Sequence, residues 1–230
     1  MIAQFENNRE NVEKMRTESK LPLASQFISF MNRYLLLTVA VAVILAALSA
    51  QTVYAGPDAQ EWEVVMEESK LGFKNQYAGI EFDGRFKDFE ARIFFDPARP
   101  EAGHFDVAID VTSVTTFNAE RDYAIGDPDW FHFSKFPKST YVTKSIKATG
   151  GNGYVAVGTL DLKGIQKDVE LRFTWDEYPN GDVKVEGQAQ MLAEADILRT
   201  DFKIGAGTWE KDDTVAFEVL VKIDLLLKKK

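Results

Sequence analysis

Apolar and polar residues alternate along four long stretches of this chain. The stretches are 105–111, 169–175, 183–193 and 215–225, and in each one every second position is apolar or small. A period of two puts one set of side chains on one face of a strand, so the pattern predicts half-buried antiparallel strands. Shorter apolar runs predict further strands near 62–74, 79–83, 89–95, 140–148 and 154–163.

Turn and cap residues separate these predicted strands. The Asn180–Gly181 pair is typical of tight hairpins, and the glycine-rich segment 150–153 predicts a second hairpin. One short helix is predicted over 118–125, because Asn118 can cap its first turn and Gly126 can end it. Many short strands with one helical insertion predict a single all-β domain, either an antiparallel barrel or a sandwich.

The segment 35–50 is an uncharged apolar run. Arg33 precedes it, and the small residues Val53 and Ala55 follow it at the spacing of a cleavage site, which is the layout of a secretory signal. A membrane anchor is the alternative, but the run is short for a bilayer-spanning helix, which needs about 20 residues. We therefore expect cleavage after Ala55 and a periplasmic protein.

The segment before Met31 is longer than the charged start of an ordinary signal, and it is polar and mixed in charge. Translation from Met31 would instead give a signal of ordinary length. The expected organisation is a misassigned N-terminal extension over 1–30, a signal peptide over 31–55 and a mature domain over 56–230.

The composition excludes several classes of function. The formal net charge of −9 argues against nonspecific binding to nucleic acid. The chain has no cysteine, so it has no disulfide and no cysteine nucleophile, and with only two histidines a transition-metal site is not expected. Dinucleotide fingerprints, phosphate-binding loops and the Gly-x-Ser-x-Gly elbow are absent from the sequence, and no cofactor is predicted.

The segment 121–137 combines aromatic and acidic residues with one of the two histidines, His132. His132 and Asp129 could act as a base and its orienting carboxylate, with Ser134 close in sequence, which would indicate a hydrolase. The same residues could equally form a loop of aromatic side chains with a surface histidine. Spacing alone leaves both interpretations open.

Five segments in a fixed order carry a family resemblance. They are 69–100, with Gly84, Phe86 and Phe89; 107–122; 129–137; 158–171; and 198–209. In this order and spacing the chain resembles the YceI family of secreted, lipocalin-like proteins, from about Trp62 to Leu227. One departure is at 202–207, where Lys203 and Ile204 follow a phenylalanine that the family often follows directly with glycine.

The resemblance implies a single antiparallel, lipocalin-like β-barrel of about eight strands with a short helical insertion, closed around an elongated apolar cavity. Members of the family are associated with long-chain amphiphiles, especially polyisoprenoids such as isoprenoid quinones, and some accompany membrane b-type cytochromes. No enzyme activity is established for the family as a whole. The resemblance therefore implies a noncatalytic periplasmic carrier of a polyisoprenoid or another long-chain amphiphile, and a homodimer is a further expectation.

Two alternatives stay open beside the carrier. One is a hydrolase that uses His132, and the other is an interaction module that supports a membrane cytochrome and carries no ligand. The sequence also leaves open whether the aromatic side chains line a cavity or fill a solid core.

The candidate ligand contacts of the carrier form three sets. The predicted wall of the cavity consists of Phe82, Phe95, Phe105, Val107, Ile109, Leu171, Phe173 and Trp175. The predicted cap over one end consists of Phe117, Tyr123, Trp130, Phe133 and Phe136. Arg121 and Arg199 either contact a polar head group or pair with Asp122 and Asp201 to fix the loops.

Overall fold

The computed structural model describes residues 59–177, 186–211 and 213–230. Its strands are β1 (Glu61–Val64), β2 (Lys70–Tyr77), β3 (Ile80–Phe86), β4 (Phe89–Phe94), β5 (His104–Asp110), β6 (Val114–Thr115), β7 (Lys138–Gly150), β8 (Gly153–Leu162), β9 (Ile165–Asp176), β10 (Gln188–Leu198) and β11 (Glu218–Lys229). One α-helix, α1 (Ala119–Ile125), lies within the described residues. Short 3₁₀ helices span Met66–Glu68, Pro100–Ala102, Val111–Ser113, Arg199–Phe202 and Gly207–Glu210.

Three pairs of short strands act as single long strands, and this makes an eight-stranded barrel. β1 and β2 run in the same direction and both pair with β11. β3 and β4 form the next kinked strand, paired with β2 and β1, and β5 and β6 form the one after it. The barrel continues through β7, β8, β9 and β10 to β11, where it closes on β1. The prediction of a closed antiparallel barrel of about eight strands is confirmed.

The strands follow the alternating pattern, with shifts at three ends. Val111 begins a 3₁₀ helix instead of ending β5, because the Asp110 side chain caps that turn and accepts a hydrogen bond from its main chain. β11 begins at Glu218, whereas Val215 makes only an isolated bridge to a residue of β2. Gly187, predicted inside a strand, lies in the turn before β10 and has a φ of 78°.

The predicted helix is present as α1. The side chain of Asn118 caps it by accepting a hydrogen bond from the main-chain N–H of Arg121, and Gly126 follows its last turn. The Asn180–Gly181 hairpin and all of the segment 1–58 lie outside the described residues, so the signal peptide stays an expectation. Among the residues that are described, no helix is long and apolar enough to cross a membrane.

Aromatic side chains fill the end of the barrel at which β1 meets β4. We call this group the aromatic end cluster, and it consists of Trp62, Phe95, Phe105, Tyr154, Phe173 and Trp175. The ring centroid of Phe95 lies 4.7 Å from that of Trp175 and 4.9 Å from that of Tyr154. The indole N–H of Trp62 donates to the carbonyl oxygen of Phe95 at 2.9 Å. Tilted and edge-to-face ring packing closes this end of the barrel, which we call the lower end.

Candidate ligand-binding cavity

The barrel encloses a cavity that begins at the aromatic end cluster and extends toward the opposite, upper end. Its volume is about 190 Å³, counted as the space that the centres of water molecules could occupy. All eight long strands contribute lining residues, which include Leu71, Phe73, Phe82, Phe86, Phe89, Ala91, Ile93, Phe105, Val107, Ile109, Tyr141, Leu160, Val169, Leu171, Met191, Ala195, Ile197, Val219, Val221, Ile223 and Leu225. The upper end adds Ile125, Trp130, Phe131, Arg199, Ile204 and Val215.

Polar side chains on the lining are already hydrogen-bonded within the wall. The hydroxyl of Ser139 donates to the carbonyl oxygen of Asp161 at 2.7 Å. The hydroxyl of Tyr141 lies 3.3 Å from the carbonyl oxygens of Ala156 and Val169. Burial, assisted by the charge of a nearby aspartate, raises the pKa of Tyr141 well above its ordinary value. The tyrosine is therefore neutral, and neither hydroxyl needs a partner from a ligand.

Arg199 organises the upper end of the cavity, although only 2% of its surface is exposed. Its guanidinium donates to the main-chain carbonyl oxygens of Ile204, Gly205, Trp209, Val215 and Ala216, at 2.8 to 3.3 Å. Asn75 adds another bond there, since its side-chain amide donates to the carbonyl oxygen of Ala216 at 3.3 Å. Arg199 therefore supplies hydrogen-bond donors to buried main-chain carbonyl oxygens of the segment 204–216.

Two loops, one containing residues 128–130 and the other containing residues 203–206, meet over the upper end and are joined by hydrogen bonds. The carbonyl oxygen of Asp129 accepts hydrogen bonds from the main-chain N–H groups of Gly205 and Ala206, at 2.9 and 2.7 Å. The ammonium of Lys163, in the β8–β9 turn, donates to one carbonyl oxygen of each loop, at 3.0 and 2.7 Å. Burial lowers the pKa of Lys163, and the nearby Asp129 carboxylate opposes that effect.

Six of the predicted wall and cap residues line the cavity. They are Phe82, Phe105, Val107, Ile109, Trp130 and Leu171. Strands β3, β5 and β9 bring five of them to one lumen, and the loop after α1 adds Trp130. Their contact with a ligand stays a prediction.

Three predicted wall residues do not line the cavity. Phe95, Phe173 and Trp175 point into the barrel but belong to the aromatic end cluster, where each is at most 3% exposed. The alternating pattern identified their face correctly, but it carries no information about height along the barrel axis. They form part of the floor instead of the wall.

Most of the predicted cap also lies away from the cavity. Phe117 and Tyr123 are 66% and 83% exposed. The ring of Phe133 packs over Gly126, and the ring of Phe136 packs over a glycine of the β8–β9 turn. Of the five predicted cap residues only Trp130 lines the lumen, because two of the other rings face solvent and two pack over glycine backbone.

Arg121 lies at the edge of the cavity. Its guanidinium carbon is 3.9 Å from the ring centroid of Phe82, and its side chain donates to the hydroxyl and carbonyl oxygens of Thr116. The neighbouring Asp122 accepts hydrogen bonds from Thr115 and Thr116. Arg121 thus helps to fix this loop through its hydrogen bonds to Thr116, whereas the predicted structural role was an ion pair with Asp122. Asp201, the suggested partner of Arg199, forms an ion pair with Lys167 at 2.9 Å.

His132 does not have the surroundings of a catalytic base. It lies in a turn with a φ of 56°, and its ring packs edge-on against Phe136, with 5.9 Å between centroids. Within the described part of the chain its ring forms no hydrogen bond with Asp129 or Ser134, so the base–orienter pair is not assembled. No group of three or more His, Asp or Glu side chains there is arranged to hold a metal ion.

Comparison with known proteins identifies the family of this barrel. The YceI-like domain matches residues 62–227. The chain belongs to the YceI-like family. The UPF0312 protein of Pseudomonas savastanoi pv. phaseolicola is 33% identical over 115 residues, which are 50% of this chain and 58% of that protein. The UPF0312 protein YE1254 of Yersinia enterocolitica is 34% identical over 117 residues, or 46% and 60% of the two chains. The match thus spans less than two thirds of these YceI-like relatives.

Solved structures agree with the YceI-like fold. BcnA of Burkholderia cenocepacia has a TM-score of 0.66 and 28% identity, over 71% of this chain and 99% of that one. The YCEI protein of Campylobacter jejuni has a TM-score of 0.55 and 30% identity, over 64% and 84%. A polyisoprenoid binding domain from Saccharophagus degradans, implicated in plant cell wall breakdown, shares the fold at a TM-score of 0.52 and 17% identity, over 75% and 99%.

The sequence reasoning missed many lining residues of this YceI-like barrel. β11 contributes Val219, Val221, Ile223 and Leu225, which share one face in the alternating pattern but were not predicted to line the wall. Ala91, Ala195 and Ile197 were missed as well. The signal that could have found them is the inward phase of each strand, extended to every strand instead of a few aromatic positions.

Proposed function

We propose that the mature domain is a noncatalytic carrier of a long-chain amphiphile, such as a polyisoprenoid or an isoprenoid quinone, with the tail held in the cavity. One observation carries the proposal: the lumen is lined by apolar side chains, and its polar side chains are bonded to the main chain. Burial of apolar surface contributes roughly 25 cal/mol per Å², so a tail is stabilised there. The polyisoprenoid binding domain from Saccharophagus degradans, which shares the fold, supports this ligand class.

Recognition would depend on the tail more than on the head group. The guanidinium of Arg199 is occupied by loop carbonyl oxygens, so it has little capacity for a ligand. Arg121 is the better candidate for a head group, since it lies against Phe82 at the edge of the lumen. The head group would then stay at the upper end, in contact with water.

A noncatalytic role agrees with the geometry around His132. A hydrolase with a histidine base of the triad type requires that base to be hydrogen-bonded to a nucleophile on one side and to an orienting group on the other. Among the described residues the ring of His132 packs against Phe136 and forms no hydrogen bond with a nucleophile or a carboxylate. The hydrolase alternative is therefore not favoured by any arrangement of side chains around this histidine.

The proposal includes secretion to the periplasm. Its support is the apolar segment 35–50 followed by small residues at Val53 and Ala55. Cell fractionation with N-terminal sequencing tests it, and a periplasmic protein that begins at Gly56 is expected. Recovery in the membrane with residues 31–55 attached would contradict it. A membrane b-type cytochrome and a second copy of the chain are further proposed partners.

A cavity-filling variant tests the carrier function. Val107 points into the lumen, and its neighbour Ala108 lies on the opposite face of β5. Val107→Trp should fill the lumen and weaken binding at least tenfold, whereas Ala108→Trp should bind as the original protein does. Binding is measured by native mass spectrometry of delipidated protein with a short-chain prenyl quinone, and by quenching of tryptophan fluorescence.

Two results would contradict the carrier. One is a protein that purifies free of hydrophobic ligands and takes up no prenyl quinone or fatty acid. The other is equal loss of binding in both tryptophan variants, which would mean that the quinone binds outside the lumen.

A further inference from the structure

The barrel wall is incompletely paired between β9 and β10. The two strands pair only from Arg172–Glu194 to Asp176–Gln190, although β9 begins at Ile165 and β10 ends at Leu198. On their other edges β9 pairs with β8 over 165–174, and β10 pairs with β11 over 188–198. The stretches 165–171 and 195–198 therefore have no ladder between them. We call this unpaired region the β9–β10 seam.

The sequence gives a physical reason for the end of the ladder. If the register continued, Glu170 would lie directly opposite Asp196, and like charges at such positions destabilise a strand pair. Asp196 instead forms an ion pair with Arg172 at 2.6 Å. Both of these side chains are about half exposed or more, so the pair contributes little to the closure of the seam.

The wall at the seam is one layer of side chains thick. Val169 of β9 and Ile197 of β10 line the central cavity, and both also line a groove on the outer surface of about 310 Å³, counted in the same way. Phe202 lies in the same groove, only 1% exposed, and belongs to the apolar cluster against which both residues pack. The apolar side chains of Val169, Ile197 and Phe202 therefore lie between the lumen and the groove, and the lining of the groove also includes charged residues such as Lys167 and Asp196.

Both ends of the cavity are held more firmly than the seam. The aromatic end cluster fills the lower end. At the upper end the two loops are joined by the main-chain bonds of Asp129 and by the guanidinium of Arg199. Opening either end would break packed aromatic contacts or several buried hydrogen bonds.

We propose that the β9–β10 seam is the passage by which the ligand tail enters and leaves the cavity. Val169, Ile197 and Phe202 move aside, and the ion pairs Arg172–Asp196 and Lys167–Asp201 separate, while every ladder hydrogen bond stays intact. The proposal rests on the carrier function and specifies its route. It assigns the outer groove as the first contact of the tail with the protein.

A disulfide across the seam tests this route. Glu170→Cys with Asp196→Cys introduces the only two cysteines of the chain. A disulfide requires the two Cα atoms to lie about 4.4–6.8 Å apart, so its formation holds the seam closed. The matched control is Thr174→Cys with Leu192→Cys, a directly paired position on the same two strands. Uptake and release of cis-parinaric acid, a slender fluorescent fatty acid, are followed by stopped-flow fluorescence.

We expect the oxidised seam variant to take up and release the fatty acid at least tenfold more slowly, with full rates after reduction and with no change in the control. A second pair of variants needs no cross-link. Glu170→Thr with Asp196→Thr removes the opposed charges, lets the ladder extend and should slow exchange. Glu194→Thr with Lys222→Thr, across the complete β10–β11 ladder, should not.

The possible failures are distinguishable. Unchanged exchange rates in a fully oxidised seam variant would overturn the seam as the passage and leave the carrier function standing. Absence of fatty acid and prenyl quinone binding in the reduced protein and in the original chain would overturn the carrier function, and the passage with it.

Discussion

The guanidinium of Arg199 lies over the ring of Trp130, with 5.7 Å from its carbon to the ring centroid. Arg199 belongs to the 3₁₀ helix after β10, and Trp130 belongs to the loop after α1, so the contact joins the two loops above the cavity. The same guanidinium also lies 4.9 Å from the ring centroid of Phe217. Arg199 thus contacts both of the loops that cover the upper end of the cavity.

Arg199→Leu should destabilise the barrel strongly. The loop carbonyl oxygens that Arg199 satisfies would be left buried without their donor, and we expect a loss of about 3 kcal/mol or more in the free energy of unfolding. Urea unfolding followed by tryptophan fluorescence measures it. Arg172→Leu is the control, because that side chain is about half exposed and should change stability little. Equal losses in the two variants would contradict this role for Arg199.

Gly205→Ala and Gly79→Ala form a matched pair. Both glycines have a positive φ, of 75° and 78°, so alanine at either site is strained by about 1–2 kcal/mol. A Cβ atom at Gly205 would also collide with the guanidinium of Arg199, whereas nothing lies within 4 Å of one at Gly79. Thermal unfolding should therefore show a clearly larger decrease in melting temperature for Gly205→Ala. Similar decreases would mean that Arg199 moves aside freely.

The two indoles of the aromatic end cluster should respond differently to replacement by phenylalanine. The N–H of Trp62 donates to Phe95, whereas the buried N–H of Trp175 has no hydrogen-bond partner within the described part of the chain. Trp62→Phe leaves a buried carbonyl oxygen without its donor, and Trp175→Phe removes an unsatisfied donor. We expect Trp62→Phe to cost about 1–2 kcal/mol more, as measured by urea unfolding. A larger loss for Trp175→Phe would contradict this.

Asp122 should make stability depend on pH. Partial burial opposes its ionisation, but hydrogen bonds from Thr116 and Thr115 and the charge of Arg121 outweigh burial and hold the pKa of Asp122 below its ordinary value. A lowered pKa in the folded state stabilises the fold above about pH 4 and loses that contribution as pH falls through the folded value. The difference in unfolding free energy between the original protein and Asp122→Asn should be largest near neutral pH and shrink in acid. A constant difference from pH 7 to pH 3 would contradict the assignment.

The alternating pattern predicted an all-β domain and the family resemblance predicted a barrel, but neither predicted the position of each residue along the barrel axis. Leu171 and Phe173 both point inward from β9, and the period of two predicts that. Leu171 lines the cavity, whereas Phe173 belongs to its floor. The difference depends on where β9 stands against its neighbours, and strand register is a long-range property that local alternation does not encode.

The loops were less predictable for a similar reason. Arg199 was expected to face a head group or an aspartate, yet it donates to carbonyl oxygens of the segment 204–216. Every residue carries a main-chain carbonyl oxygen, so residue types alone do not show which of these oxygens an arginine will contact. The opposed charges of Glu170 and Asp196 likewise acquire meaning only once the register of β9 and β10 is known.

The internal bonding of Ser139, Tyr141 and Arg199 has a calorimetric consequence. A buried water molecule is held by two to four polar partners, and few polar groups of this lumen are free to bond to water. A tail that enters a poorly hydrated apolar cavity gains dispersion contacts and releases little ordered water. Ligand binding should therefore release heat at 25 °C and show a negative heat-capacity change, in contrast to the entropy-driven transfer of a small apolar solute out of water.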